Sequence, residues 1–189
     1  MDADIVKGLD YEATKQGATV NGIACRVLKR YIRITTKLDH FGMVALTKDD
    51  LLAMISSMNE ELIAKVGAKV GGSLVKEVIL QLYGDTTVET FRLYLDKILC
   101  SYQGWASYTE EEKGDQLEIR LGHTMGQKWA IFLSSYIDAA LGSFTTQKAD
   151  FKYISNYSII FTISQPEAPQ SGQVMESVDV KGSSGALKQ

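Results

Sequence analysis

Residues 117–141, LEIRLGHTMGQKWAIFLSSYIDAAL, change their hydrophobic period midway, and that change decides the fold class. Leu117, Ile119 and Leu121 alternate with Glu118 and Arg120, the two-residue period of a half-buried strand. From Thr124 to Leu141, Trp129, Phe132, Leu133, Tyr136, Ile137 and Ala140 recur at intervals of three and four, one face of a helix, and Gly142 ends the run. A strand handing over to a long helix, in a chain with helices elsewhere, predicts an α+β fold.

Two hairpins flank that helix. Trp105 to Thr109 pairs with Gln116 to Leu121 through the acidic turn Glu112-Lys113-Gly114-Asp115, and Phe151 to Ile154 pairs with Ser158 to Ile163 around Asn156. The middle of the chain reads as helix throughout. Thr47 with Asp50 forms a carboxylate version of the capping box, ahead of Leu51, Leu52, Met54, Ile55 and Met58. Residues 60–83 continue as helix with a break predicted near Gly71 and Gly72, and Thr87 starts another helix through Phe91, Leu95, Ile98 and Leu99. Residues 35–45 read as a connection.

The N-terminal part is a pair of short helices. Ile5, Val6, Leu9 and Ala13 share a face of the first, which ends at Gly17, where a left-handed residue closes a helix. Thr19 caps the second, whose apolar stripe runs through Val20, Ile23, Ala24, Val27, Leu28, Tyr31 and Ile32. The layout is thus a two-helix module over 1–34, an α+β domain over 41–164 and a tail over 165–189. The tail holds both prolines, Pro166 and Pro169, and too few large apolar side chains to offset its ordering entropy, so it is predicted to be disordered.

Apolar residues make up 45 % of the 189 residues and charged residues 23 %, which supports a packed core and excludes wholesale disorder. Cys25 and Cys100 are far apart in sequence, lie in apolar helical patterns, and are expected to be reduced core residues without metal-ligand spacing. The chain begins without a basic segment leading into an apolar run, and no apolar stretch approaches bilayer length, so a cytoplasmic protein without membrane partners is expected. The net charge of −3 conceals a local block: Lys15, Arg26, Lys29, Arg30, Arg33 and Lys37 follow one another with no Asp or Glu between them.

The stretch EATKQGATVNGIACRVLKRYI, residues 12–32, resembles the helical half of the ribbon-helix-helix DNA-binding family. The resemblance implies an intertwined homodimer in which the start of the second helix grips a phosphate of double-stranded DNA, as free N–H groups and the helix dipole favour. It makes Gly17 the turn glycine and Thr19 the phosphate-facing cap, with Val20 and Asn21 beside it. Arg26, Lys29, Arg30 and Arg33 would add attraction independent of sequence. The family's groove-reading strand would precede the first helix, where Met1 already stands. Residues 41–163 look like the companion domain of archaeal proteins that join such a module to an α+β domain. They are more faintly similar to small-molecule-binding domains of the four-vinyl-reductase type, without the cysteine-rich metal ligands some of those carry. Either likeness implies dimerisation or the sensing of a small-molecule effector.

No residues are assigned to catalysis, to a metal or to a cofactor. His123, at a strand-to-helix junction near Lys128, is read first as a structural residue hydrogen-bonded at the helix start and second as a ligand-pocket residue. Gly122 to Gly126 offers at most a weak anion nest, and Ser134 and Ser135 lack a nucleophile-elbow pattern. Trp105 and Trp129, with Tyr108, Phe132 and Tyr136, either line an aromatic pocket or form plain core. Glu110, Glu111 and Glu112 read as a solvated turn. The function expected from sequence is therefore a dimeric, DNA-binding transcriptional regulator; the alternative is a protein-interaction or small-molecule-binding protein that does not touch DNA.

Overall fold

The computed structural model describes residues 2–42, 46–114 and 116–164; the tail read as disordered, 165–189, lies outside the described residues. The change of period falls where the sequence puts it. Strand β1 (Ser107–Lys113) turns at Gly114, whose φ of 62° is left-handed, into β2 (Gln116–Gly122). Helix α7 (Gly126–Gly142) comes next, then β3 (Ala149–Ile154) and β4 (Ser158–Ser164). The two hairpins join into one antiparallel sheet of order β1-β2-β4-β3. Leu117, Ile119 and Leu121 of β2 stand opposite Ile163, Phe161 and Ile159 of β4, and all six are buried, so the two central strands give the sheet a single apolar face. Strand β1 runs on past Thr109 through the residues expected to form the acidic turn, and its Glu110, Glu111, Glu112 and Lys113 are charges that blunt an open sheet edge.

The helical half is built around α5 (Glu60–Tyr83), whose Asn59 cap accepts the Leu62 N–H at 2.8 Å. The break predicted at Gly71 and Gly72 is absent: α5 runs unbroken. Glycine is used there for close approach, because Gly67 and Gly71 lie against the backbone of α7 at Phe132 and Tyr136. Helix α4 (Lys48–Ser56) starts with the anticipated Thr47–Asp50 capping box. Helix α6 (Val88–Leu93) is capped reciprocally by Thr87 and Thr90 and continues into a π-helical segment, Tyr94–Tyr102, that buries Tyr94, Leu95, Ile98, Leu99 and Cys100.

Helices α1 (Ala3–Gln16) and α2 (Val20–Arg30) are capped as read, by left-handed Gly17 at φ 61° and by Thr19, whose hydroxyl accepts the Gly22 N–H at 3.0 Å. The segment after α2 is not the connection expected over 35–45. The chain stays helical through a second π-helical segment (Tyr31–Thr35), one turn of α3 (Thr36–Leu38) and a 3₁₀ turn (Asp39–Phe41), until left-handed Gly42 stops it. Leu38, 2 % exposed, pins this path into the main core.

Candidate interaction surface and binding cleft

Helix α1 packs chiefly on α2, and each buries a single residue, Ala13 and Ile23 respectively. The apolar stripe read along the second helix is therefore mostly uncovered. Ile5, Tyr11, Leu28 and Tyr31 are 50 to 67 % exposed, and Cys25, expected in the core, is exposed as well. The two helices differ in charge: α1 holds Asp4, Asp10 and Glu12 against Lys7 and Lys15, whereas α2 holds Arg26, Lys29 and Arg30 with no carboxylate.

The basic stretch leans toward the body of the protein. The Arg30 guanidinium donates to the Tyr102 carbonyl at 3.3 Å and lies 4.5 Å over that ring's centroid, a cation–π contact. Lys37 Nζ donates to the Gln81 and Leu82 carbonyls at 3.3 and 3.1 Å, satisfying the C-terminal end of α5, and Arg26 donates to Gln16. A cleft of about 760 Å³ lies between the two π-helical segments. Val27, Ile34, Leu82, Ile98 and Tyr102 supply its apolar walls, and Arg26, Arg30, Arg33, Lys37 and Lys97 its cations. No Asp or Glu among the described residues lines it.

The candidate ligand-pocket residues His123, Lys128, Trp105 and Trp129 do not converge. Trp105 and Trp129 do meet, edge to face at 5.3 Å, and Trp129 stacks on Phe132 at 5.0 Å; with Met54, Ile55 and Met58 they line an apolar cavity of about 140 Å³. Lys128 points elsewhere, donating to the Ser56 and Met58 carbonyls at 2.8 and 2.6 Å, where it caps the end of α4. His123 lines neither cavity. Its backbone N–H donates to the Tyr157 carbonyl at 2.7 Å, while both ring nitrogens are buried without a hydrogen-bond partner among the described residues. The hydrogen bond anticipated for its ring is thus not found.

Burial lowers the His123 pKa from its ordinary 6.5 by disfavouring the imidazolium. The unfolded chain consequently takes up a proton more readily than the folded one, so stability should fall as pH drops below about 6.5. In urea melts at stepped pH, His123→Leu should lose less stability over that interval than the parent; equal losses would show that His123 contributes nothing to acid sensitivity.

Two polar arrangements escaped the sequence reading. Arg92 clamps Glu110 through two hydrogen bonds, Nε to Oε2 at 3.1 Å and Nη2 to Oε1 at 2.7 Å, tying α6 to β1, and it holds the Glu110 carboxyl below its ordinary pKa. Glu110 is therefore a structural partner and not part of a solvated turn. The hydroxyls of Tyr94 and Tyr136 bond to each other in the core, where burial pushes Tyr94 up to about 12. The helical period foretold burial of Tyr136; nothing in it pointed to Tyr94.

No protein-family model and no curated protein matches the chain. Among solved structures, it is similar to a trafficking protein particle complex subunit 3 from Naegleria fowleri covalently bound to palmitic acid. That match has 11 % identity and a TM-score of 0.42, and covers 70 % of this chain and 96 % of that one. That protein is a subunit of a protein complex. It gives no support to an archaeal regulator with an effector-sensing domain, nor to double-stranded DNA as a partner.

The geometry corrects the same expectation. Arg26, Arg30 and Lys37 are engaged with the protein's own carbonyl and amide oxygens, and Arg30 and Arg33 border the cleft instead of forming a free groove-facing stripe. Thr19 serves its own helix through Gly22, and Gly17 closes α1. Val20, Asn21 and Lys29 lie on the same helix and do not line the cleft. Among the described residues, no helix is long and apolar enough to cross a membrane.

Proposed function

We propose that the chain is a non-enzymatic interaction protein that pairs with a second copy of itself through α1 and α2. The observation that carries this reading is the half or greater exposure of Ile5, Tyr11 and Leu28 on a helix pair that buries one residue per helix, and of Tyr31 directly after it. Helices of this length are marginal alone, and tertiary packing of an apolar face normally stabilises them. Their charges also suit a two-fold partner. An isologous contact that sets α1 of one copy on α2 of the other brings Asp4, Asp10 and Glu12 toward Lys29 twice over.

Sedimentation equilibrium of the full chain tests this. The parent should be dimeric at micromolar concentration, and Leu28→Asp with Tyr31→Asp should weaken the dimer by about a hundredfold or more, the effect of removing central apolar anchors. The melting temperature measured at low concentration should barely move, because both side chains are already exposed in one copy. A parent that stays monomeric throughout, or a dimer indifferent to both substitutions, would overturn the proposal.

A further inference from the structure

We propose that the cleft between the two π-helical segments binds an amphipathic phosphate, that is, an apolar body carrying a phosphate or diphosphate head. The charge at the cleft is the first ground. Of its five cationic residues, only Lys97 has a carboxylate partner among the described residues, its neighbour Asp96 at 2.5 Å. Arg26, Arg30 and Lys37 are met by neutral oxygens, and Arg33 makes no ion pair or hydrogen bond among the described residues. Like charges gathered at one opening repel, and a multiply charged anion relieves that repulsion where a single carboxylate would offset less of it. Guanidinium groups match phosphate oxygens two at a time, as they match carboxylate oxygens, so it is the greater charge of the phosphate that favours it here.

The walls are the second ground. Val27, Ile32, Ile34 and Leu82 surround the opening, so inorganic phosphate would leave them in contact with water, while a neutral hydrocarbon would leave the cations unanswered. A volume of about 760 Å³ suits a complete small molecule. Backbone geometry is the third and is independent of charge. Turns with i→i+5 bonding are rare and concentrate at functional sites. Both π-helical segments found among the described residues border this one cleft, contributing Ile32, Arg33 and Ile34 from one side and Lys97, Ile98, Ser101 and Tyr102 from the other. Arg30 is already held over the Tyr102 ring, so one guanidinium needs no ordering when the ligand arrives.

Binding in the cleft does not depend on self-association, and its test is made on the full chain with oligomeric state recorded in the same samples. Isothermal titration with octyl phosphate should show one saturable site per chain, at least tenfold tighter than octanol, octanoate or inorganic phosphate. Arg33→Gln should weaken octyl phosphate tenfold or more, about 1.4 kcal/mol for each factor of ten. Ser101→Trp, which fills the cleft from an exposed position, should abolish binding while leaving the thermal melt unchanged.

Octanol binding as tightly would remove the cations from the account, and inorganic phosphate binding as tightly would remove the walls. Indifference to both substitutions would place any binding elsewhere. Flotation with phosphatidic acid vesicles separates the sources of the head group. Flotation reversed by octyl phosphate supports a lipid head group in the cleft. Flotation of a chain that ignores octyl phosphate indicates a membrane surface and overturns the proposal.

Discussion

Replacing Gly71 with Ala should destabilise the protein by about 3 kcal/mol or more, at the upper end of what overpacking costs. The added Cβ would stand 2.1 Å from the Tyr136 carbonyl oxygen and 2.8 Å from its carbon. One turn earlier, a Cβ at Gly67 would stand 2.5 Å from the Phe132 carbonyl oxygen. These neighbours are backbone and cannot rotate away as a side-chain tip does. Relief requires α7 as a whole to retreat from α5, loosening Phe132, Leu133, Tyr136 and Ile137 together. Against this, alanine is favoured over glycine inside a helix by about 1 kcal/mol.

The adjacent glycine isolates that smaller term. At Gly72 a new Cβ would meet the Ala139 side chain at 3.8 Å, an ordinary contact, so Gly72→Ala should stabilise by up to about 1 kcal/mol. Urea unfolding of the two variants should thus give opposite signs at neighbouring positions. If Gly71→Ala were neutral, the backbone-to-backbone crossing of α5 and α7 would be wrong.

That pair of glycines also shows where sequence reading stops. A glycine inside a helical pattern is either a break or a site of close approach, and the two look alike until the partner is known; the partner of Gly71 is Tyr136, on the other side of β1 and β2 in the chain. What depends on local chemistry was legible: the Thr19 and Thr47 caps, the Gly17 terminus, and the alternation of β2 and β4 that sets the buried face of the sheet. The basic block was legible as a block. Its surroundings were not, because Tyr102 and the end of α5 lie far along the chain from Arg30 and Lys37, and only tertiary packing brings them there. A block of unopposed cations is equally compatible with a free DNA-facing surface and with the wall of a cleft. The aromatic residues divide in the same way: Trp129 and Phe132 gather as their helical period suggested, Trp105 joins them from a bend before β1 and not from the strand expected to begin there, and Lys128 is separated from them by its bonds to the end of α4.

Trp129→Ala is expected to cost about 3–5 kcal/mol, the range for deleting a fully buried aromatic side chain. The Trp129 ring is 1 % exposed, stacks on Phe132, meets Trp105 edge-on, and donates its indole N–H to the Trp105 carbonyl at 3.3 Å. Removing it would enlarge the neighbouring 140 Å³ cavity, and the lining residues Met58, Ile63 and Phe132 are fixed by other contacts and would collapse inward only in part. It would also leave the Trp105 carbonyl without its indole donor.

Trp129→Phe restores a ring without the N–H and should cost less, so the two variants bracket packing against hydrogen bonding. Equilibrium urea unfolding, followed by far-UV circular dichroism, gives both numbers. A loss under about 1 kcal/mol for Trp129→Ala would mean that the site collapses freely, contrary to the close packing of α7. A loss in the expected range gives the aromatic cluster its meaning. Trp129, read from the sequence as either pocket wall or plain core, holds α4 and the Trp105 loop against α7, while the larger opening, with charge and apolar wall together, lies at the π-helical segments.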